Sequence, residues 1–216
     1  MNYLIIGGSK SGKSEIGEKI ALSRESKSMI WCESLTQRTN VSRVSLRKEL
    51  KSMIWCESHS QRSNVKREQG KVIYIATMKA YDKEDEERIK RHVENRKGLN
   101  FTTIEVQRNL HEIVNNIKSN DTILIDSITS LLTNEMFVGN EIIKNPSINI
   151  LNGLKQIIIK AQNTVIISDY IFIDSIEYDE VTKSFKKELA IINKELAKLC
   201  DNVIECSFGN TKYFKS

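Results

Sequence analysis

The sequence predicts an α/β domain built on a mostly parallel sheet with helices on both faces. Three observations lead there. Short apolar runs alternate with longer segments of helical period along most of the chain. A glycine-rich turn joins the first apolar run to the first helical segment. The last two apolar runs flank Gly209 and Asn210 and read as a hairpin, which gives the sheet a short antiparallel C-terminal edge.

The elements follow in order. Residues 3–6 form a buried strand and residues 13–23 a helix. Residues 72–76 are a second strand, and residues 83–96 are so charged that they read as a solvated helix. Residues 101–106 alternate like a strand, residues 110–117 are helical, and residues 123–125 are a short buried strand. Helices are expected over 127–137 and 148–161, a strand over 165–167, and a long helix over 181–199. Residues 203–206 and 212–214 supply the closing hairpin.

A chain of 216 residues suits one domain with a substantial core. No apolar run approaches the roughly 20 residues needed to span a bilayer. The apolar residues 3–6 are too few for the core of a signal peptide, so a cytoplasmic location is expected. Cys32, Cys56, Cys200 and Cys206 show no CxxC spacing and read as structural or incidental thiols.

Residues 26–70 stand apart. They hold nine Lys or Arg against four Asp or Glu, an excess of +5, while the rest of the chain holds 24 of each sign. Residues 27–41, KSMIWCESLTQRTNV, recur at 51–65 as KSMIWCESHSQRSNV, with twelve of fifteen positions identical at an offset of 24. Two copies fall short of the three that a solenoid needs, so the segment reads as a basic insertion carrying a local tandem duplication. Basic residues interleaved with Trp31 and Trp55 suit a nucleic-acid arm. A solvated excursion is the favoured reading, and no nucleic-acid partner is expected.

Gly7, Gly8, Ser9, Lys10, Ser11, Gly12, Lys13 and Ser14 fit G-x-x-x-x-G-K-[ST] in full, with a strand before and a helix after. Glycines let backbone N–H groups turn around an anion, and the helix N-terminus adds donors and partial positive charge. Lys13 reaches the β- and γ-phosphates, and the Ser14 hydroxyl is a ligand for Mg²⁺ held with GTP or ATP. Asp126, at the end of a buried strand, reads either as the second Mg²⁺ carboxylate or as an ordinary helix N-cap. The metal role is favoured, because a P-loop needs such a partner.

Arg88, His92 and Arg96 lie at i, i+4 and i+8, on one helix face. Two guanidiniums beside an imidazole disfavour its protonation. A neutral imidazole is a nucleophile, and arginines hold phosphate oxygens, so the trio suits attack on an α-phosphate. Alternatively the histidine is merely solvated on a charged helix. His59 and His111 lack this setting and read as incidental.

These motifs resemble the bifunctional adenosylcobinamide kinase/adenosylcobinamide-phosphate guanylyltransferase family of cobalamin biosynthesis. The resemblance rests on the P-loop GGSKSGKS, the strand VIYIATM at 72–78, and Arg88-Ile89-x-x-His92-x-x-x-Arg96. It continues through Thr103-x-Glu105, the IDSIT run at 125–129, Leu132-Thr133-Asn134, and the spacing of Phe185, Asn193 and Asp201. It implies a three-layer RecA-like P-loop fold assembled as a homo-oligomer, which in the family is often a trimer. It implies that His92 becomes guanylylated and that Glu105 joins the nucleotide-binding set. The chain departs from the family pattern at several points. Asp169-Tyr170-Ile171-Phe172 stands where the family has Asn-Glu-Val-Gly, and Lys183, Lys186 and Lys187 replace an Arg/Arg-Asp pattern. Lys97 and Phe101 replace a Pro and a Trp, and Asp126 replaces a Glu.

The implied function has two steps: phosphorylation of adenosylcobinamide by ATP or GTP, then transfer of GMP from GTP through His92 to give adenosylcobinamide-GDP. Two other readings stay open. One is a P-loop kinase for another small molecule that has lost the guanylyl step. The other is a non-catalytic nucleotide-dependent switch, or a nucleic-acid-binding module built on the basic segment.

Overall fold

The computed structural model describes residues 1–23, 70–172 and 176–216. The basic insertion with its duplication lies outside the described residues, Gly70 apart.

The elements run β1 (Asn2–Gly7), α1 (Lys13–Leu22), β2 (Val72–Ala76), α2 (Lys83–Arg96), β3 (Phe101–Glu105), a 3-10 helix (Leu110–Asn116) and β4 (Thr122–Asp126). Then come α3 (Ile128–Met136), β5 (Phe137–Val138), β6 (Glu141–Ile142), α4 (Pro146–Lys160), β7 (Asn163–Asp169), α5 (Glu180–Leu199), β8 (Asn202–Ser207) and β9 (Asn210–Lys215). The main sheet has the order β3-β2-β4-β7-β1-β8-β9. Every neighbouring pair in it is parallel except β8 and β9. This is the expected α/β architecture, with its antiparallel C-terminal edge.

Local differences from the expectation have local causes. The segment at 110–116 tightens to a 3-10 helix. The helix expected to reach residue 137 ends at Met136, and Phe137–Val138 turns back against Glu141–Ile142 in a small hairpin. Helix α4 starts earlier than expected because Pro146 occupies its first turn, where the missing N–H costs nothing.

Strand alternation divides the core between two faces. Leu4, Ile123, Ile125 and Ile166 pack with Leu131, Leu132, Leu154, Leu189 and Ile192 from α3, α4 and α5. Each such buried side chain is worth about 1.5–3 kcal/mol relative to exposure. The opposite face belongs to α1, where Gly17 sits directly on Leu124 and Ile167. In register, Asp126 of β4 pairs with Ile167, and Asp169 of β7 lies two residues beyond it. Both carboxylates therefore fall on the α1 face at the C-terminal edge of the sheet.

Helix α4 crosses the 3-10 helix at Gly153, where an added Cβ would lie 2.8 Å from the Leu110 Cβ and 3.1 Å from the His111 backbone nitrogen. These atoms are close to the main chain and cannot swing away. Gly153→Ala is expected to lower stability by about 1–2 kcal/mol, because overpacking outweighs the gain in helix propensity. Urea denaturation of the two proteins measures the difference; an unchanged or higher midpoint contradicts this account of the contact.

Candidate functional site

The glycine-rich loop bridges β1 and α1 at the C-terminal edge of the sheet. Lys10 and Gly12 both have positive φ, 57° and 94°. The left-handed turn at Gly12 is one that a glycine takes without steric cost. Alternating backbone hands of this kind turn successive N–H groups into a concavity for an anion. A Cβ built on Gly8 or Gly12 would meet nothing within 4 Å, so the backbone borders open space. Inside the loop the buried Ser11 hydroxyl has no hydrogen-bond partner among the described residues.

Lys13 and Ser14 open α1. Lys13 is buried, and its Nζ donates to the Gly8 carbonyl at 2.6 Å. The same nitrogen forms a 2.9 Å ion pair with Asp169 Oδ1. Asp169 ends β7, opposite Gly7 of β1, so it stands between the P-loop strand and the strand of Asp126. The lysine expected to hold phosphate is here held by a carboxylate.

Asp126 is the last residue of β4, and its Oδ2 accepts a 2.7 Å hydrogen bond from the Tyr74 hydroxyl. Helix α3 is capped by Ser127, whose side chain accepts from Ser130 N. Asp126 is therefore not the N-cap, and its carboxylate faces the site. Burial first, and then Asp126, push the Tyr74 hydroxyl above its ordinary pKa, so it serves as a donor. The Arg96 guanidinium stacks on the Tyr74 ring, 3.7 Å from its centroid. Arg96 is buried, and its Nε finds no partner among the described residues. Glu18 of α1 joins the cluster: burial raises its pKa most, Arg96 opposes, and Asp126 and Glu15 add to the rise.

His92 is half-buried on α2. Its pKa is lowered from the ordinary 6.5, chiefly by burial, then by Arg96, Arg88 and Arg91, with Asp126 opposing. A neutral imidazole was expected from the arginines alone. Their effect is present, but desolvation is larger, and the two expected arginines are unlike. Arg96 is buried, whereas Arg88 is exposed and pairs loosely with Asp85 at 3.9 Å.

The β2–α2 connection, which leads into the helix of His92, is tied to the strand end of Asp126. Thr77 Oγ1 donates to the Ser127 carbonyl at 2.7 Å and accepts from Ser127 N at 2.8 Å. Asn134 Nδ2 donates to the Thr77 carbonyl at 2.8 Å, and the Tyr81 hydroxyl donates to Asn134 Oδ1 at 2.8 Å. Helix α2 then begins at its cap, Asp82.

The structure thus brings Lys13, Asp126, Arg96 and His92 to one edge of the sheet and one neighbourhood. Ser9 and Lys10 are exposed in the loop, and Ser14 is half-buried at the start of α1. Glu105 ends the edge strand β3, exposed and opposite Ala76. Sequence reasoning missed Tyr74, Glu18 and the pairing of Asp169. Glu18 follows Ser14 by four residues, so the helical period alone marks it as facing the same way. Tyr74 follows from strand alternation once Asp126 is placed, since it pairs with Leu124.

Ser14 and Asp126 offer hard oxygen ligands beside an anion cradle. That donor set suits a magnesium ion shared with phosphates.

A glycine-rich cradle with a buried lysine, on the edge of a parallel sheet and near a strand-end carboxylate, defines a P-loop protein. Residues 56–212 match the family model described as Cobinamide kinase / cobinamide phosphate guanyltransferase, and the chain belongs to that family. The name covers a kinase and a nucleotidyltransferase, both of which transfer phosphorus-containing groups. The match begins beyond the P-loop, which follows β1 where that strand sits between β7 and β8. No curated protein matches the chain. Similar solved structures include the flagellar accessory protein FlaH from Methanocaldococcus jannaschii, at 13% identity over 99% of this chain and 77% of that one, with a TM-score of 0.42. Another is Project ID PH0250 from Pyrococcus horikoshii OT3, at 11% identity over 100% of this chain and 86% of that one, with a TM-score of 0.42. Among the described residues no helix is long and apolar enough to cross a membrane.

Proposed function

We propose that this chain phosphorylates adenosylcobinamide with ATP or GTP and then transfers GMP from GTP, through His92, to give adenosylcobinamide-GDP. The observation that carries the second step is His92 itself, half-buried, depressed in pKa and within electrostatic reach of both Arg96 and Asp126. A cytoplasmic homo-oligomer belongs to the same reading, the trimer being a form the family often takes.

In the first step a substrate hydroxyl attacks the γ-phosphorus, the bond to the β-phosphate oxygen breaks, and the nucleoside diphosphate leaves. Lys13 and the loop N–H groups neutralise the charge that develops, so the protein's part is positioning and electrostatics. Magnesium held by Ser14 and Asp126 would supply further neutralisation across the phosphates. In the second step neutral His92 attacks the α-phosphorus of GTP, and the bond to pyrophosphate breaks. The resulting phosphoramidate passes its guanylyl group to the phosphate of the first product, and the imidazole is regenerated. Arg96 and Arg88 counter the phosphate charge.

The test is incubation with α-³²P-GTP and Mg²⁺. A protein-bound label that survives alkali and is lost in acid is the expected signature of a phosphoramidate. Phosphorylation of cobinamide without any label would leave a kinase alone.

Asp169 gives a separate expectation. Its carboxylate competes with the triphosphate for Lys13. Asp169→Asn is expected to tighten binding of a fluorescent nucleoside diphosphate about fivefold, the net scale of one ordinary hydrogen bond. Equal or weaker affinity in the variant shows that the pair is not a competitor.

A further inference from the structure

On the β8 side of the P-loop lies a cavity of about 430 Å³. Gly7 and Gly8 border it, and its walls include Tyr170 beyond β7, Tyr178 and Phe185 around the start of α5, and Glu205 of β8. That volume falls in the range of small-molecule sites and exceeds what a phosphate needs. Three aromatic rings beside an anion cradle suit a flat heterocycle joined to phosphates. Lys186, whose Nζ lies 4.5 Å from the centroid of the Tyr178 ring, also lines the cavity and offers its charge to phosphate. The carboxylate of Glu205 instead repels phosphate and suits the neutral, N–H-bearing part of such a ligand. Glu205 is half-buried, and its Oε1 accepts a 3.2 Å hydrogen bond from the Ser207 hydroxyl, which orients it.

The purines differ at the edge that such a group reads. Guanine presents two adjacent N–H donors, N1–H and the 2-amino group, which match a carboxylate bidentately. Adenine presents one donor beside the N1 lone pair, which a carboxylate repels. We propose that this cavity takes the base of the nucleotide whose phosphates lie in the P-loop, and that Glu205 makes the site prefer guanine to adenine. This rests on the P-loop holding a triphosphate. Glu205 then acts as a specificity residue for the phosphoryl donor, apart from the histidine chemistry.

The experiment titrates the full chain, with Mg²⁺, with N-methylanthraniloyl GDP and ADP, and with inorganic tripolyphosphate as a competitor that has no base. Wild type is expected to bind the guanine nucleotide about tenfold more tightly, the scale of one bidentate base contact. Glu205→Gln should erase or invert that preference, weakening GDP and tightening ADP as the repulsion of the adenine N1 lone pair is relieved, with tripolyphosphate within about twofold. Tyr170→Ala should weaken both nucleotides and leave tripolyphosphate unchanged. Equal affinity for GDP and ADP in wild type overturns the proposal while tripolyphosphate competition preserves the P-loop reading. Equal weakening of both nucleotides by Glu205→Gln also overturns it, because the residue is then structural. Failure of nucleotides and tripolyphosphate alike removes the P-loop reading and this proposal with it.

Discussion

His92→Ala removes covalent labelling by α-³²P-GTP, to below about one part in a hundred of wild type, because the nucleophile itself is gone. Phosphorylation of cobinamide stays within about twofold, since Lys13, Ser14 and Asp126 serve that step. His111→Ala changes neither. The pH dependence carries a sign. Burial and the neighbouring arginines hold the His92 pKa below 6.5, so the imidazole stays neutral as pH falls through that value. Labelling should therefore hold through pH 6.5 and decline only at lower pH. The same shift means that the folded protein binds this proton later than the unfolded chain, so whatever stability it contributes is lost on acidification. Label that persists in His92→Ala places the nucleophile elsewhere. A labelling rate that halves near pH 6.5 or above contradicts the environment described for the ring.

Lys13→Ala lowers kinase turnover by about a thousandfold, at the upper end for losing one preorganised charge. The geometry adds a second component. With Lys13 gone, Asp169 faces the triphosphate unpaired, so nucleotide affinity also falls. Combining Lys13→Ala with Asp169→Asn should recover part of the affinity and none of the turnover. Steady-state kinetics and nucleotide titration separate the two effects, and the unfolding midpoint checks that the fold persists. Turnover within tenfold of wild type in Lys13→Ala ends the assignment of the loop as the phosphoryl-transfer site.

The sheet was legible because parallel strands buried on both faces leave near-continuous apolar runs such as VIYIA and TILID. The loop was legible because its chemistry restricts four of eight positions at a set spacing, between a strand and a helix. The electrostatic cluster was not. Tyr74 meets Asp126 across adjacent strands, and Asp169 reaches Lys13 from a third. Sequence separation hides both contacts until the strand order is known. Asp169 stood out only as a departure from a family pattern, and its consequence depends on a 2.9 Å distance that no local pattern encodes. Arg88 and Arg96 look equivalent on a helical wheel, yet one is exposed and the other stacks beneath the site. The face of α2 that meets the sheet is marked by Arg96, whose guanidinium lies on the Tyr74 ring of β2.

The position of β1 bears on how the protein is made. Its partners are β7 and β8, with Ile5 opposite Ile167 and Ile204. β1 therefore leaves the ribosome long before β7 and β8, the strands that enclose it. Contacts of such long sequence separation form late and slow folding, because loop closure precedes any reward. Until the chain has been synthesised past residue 204, the glycine-rich segment has its sequence without its shape. The phosphate affinity proposed for the loop would thus emerge only with the completed sheet, and an unfinished chain exposes the apolar residues of β1 to aggregation or to chaperones.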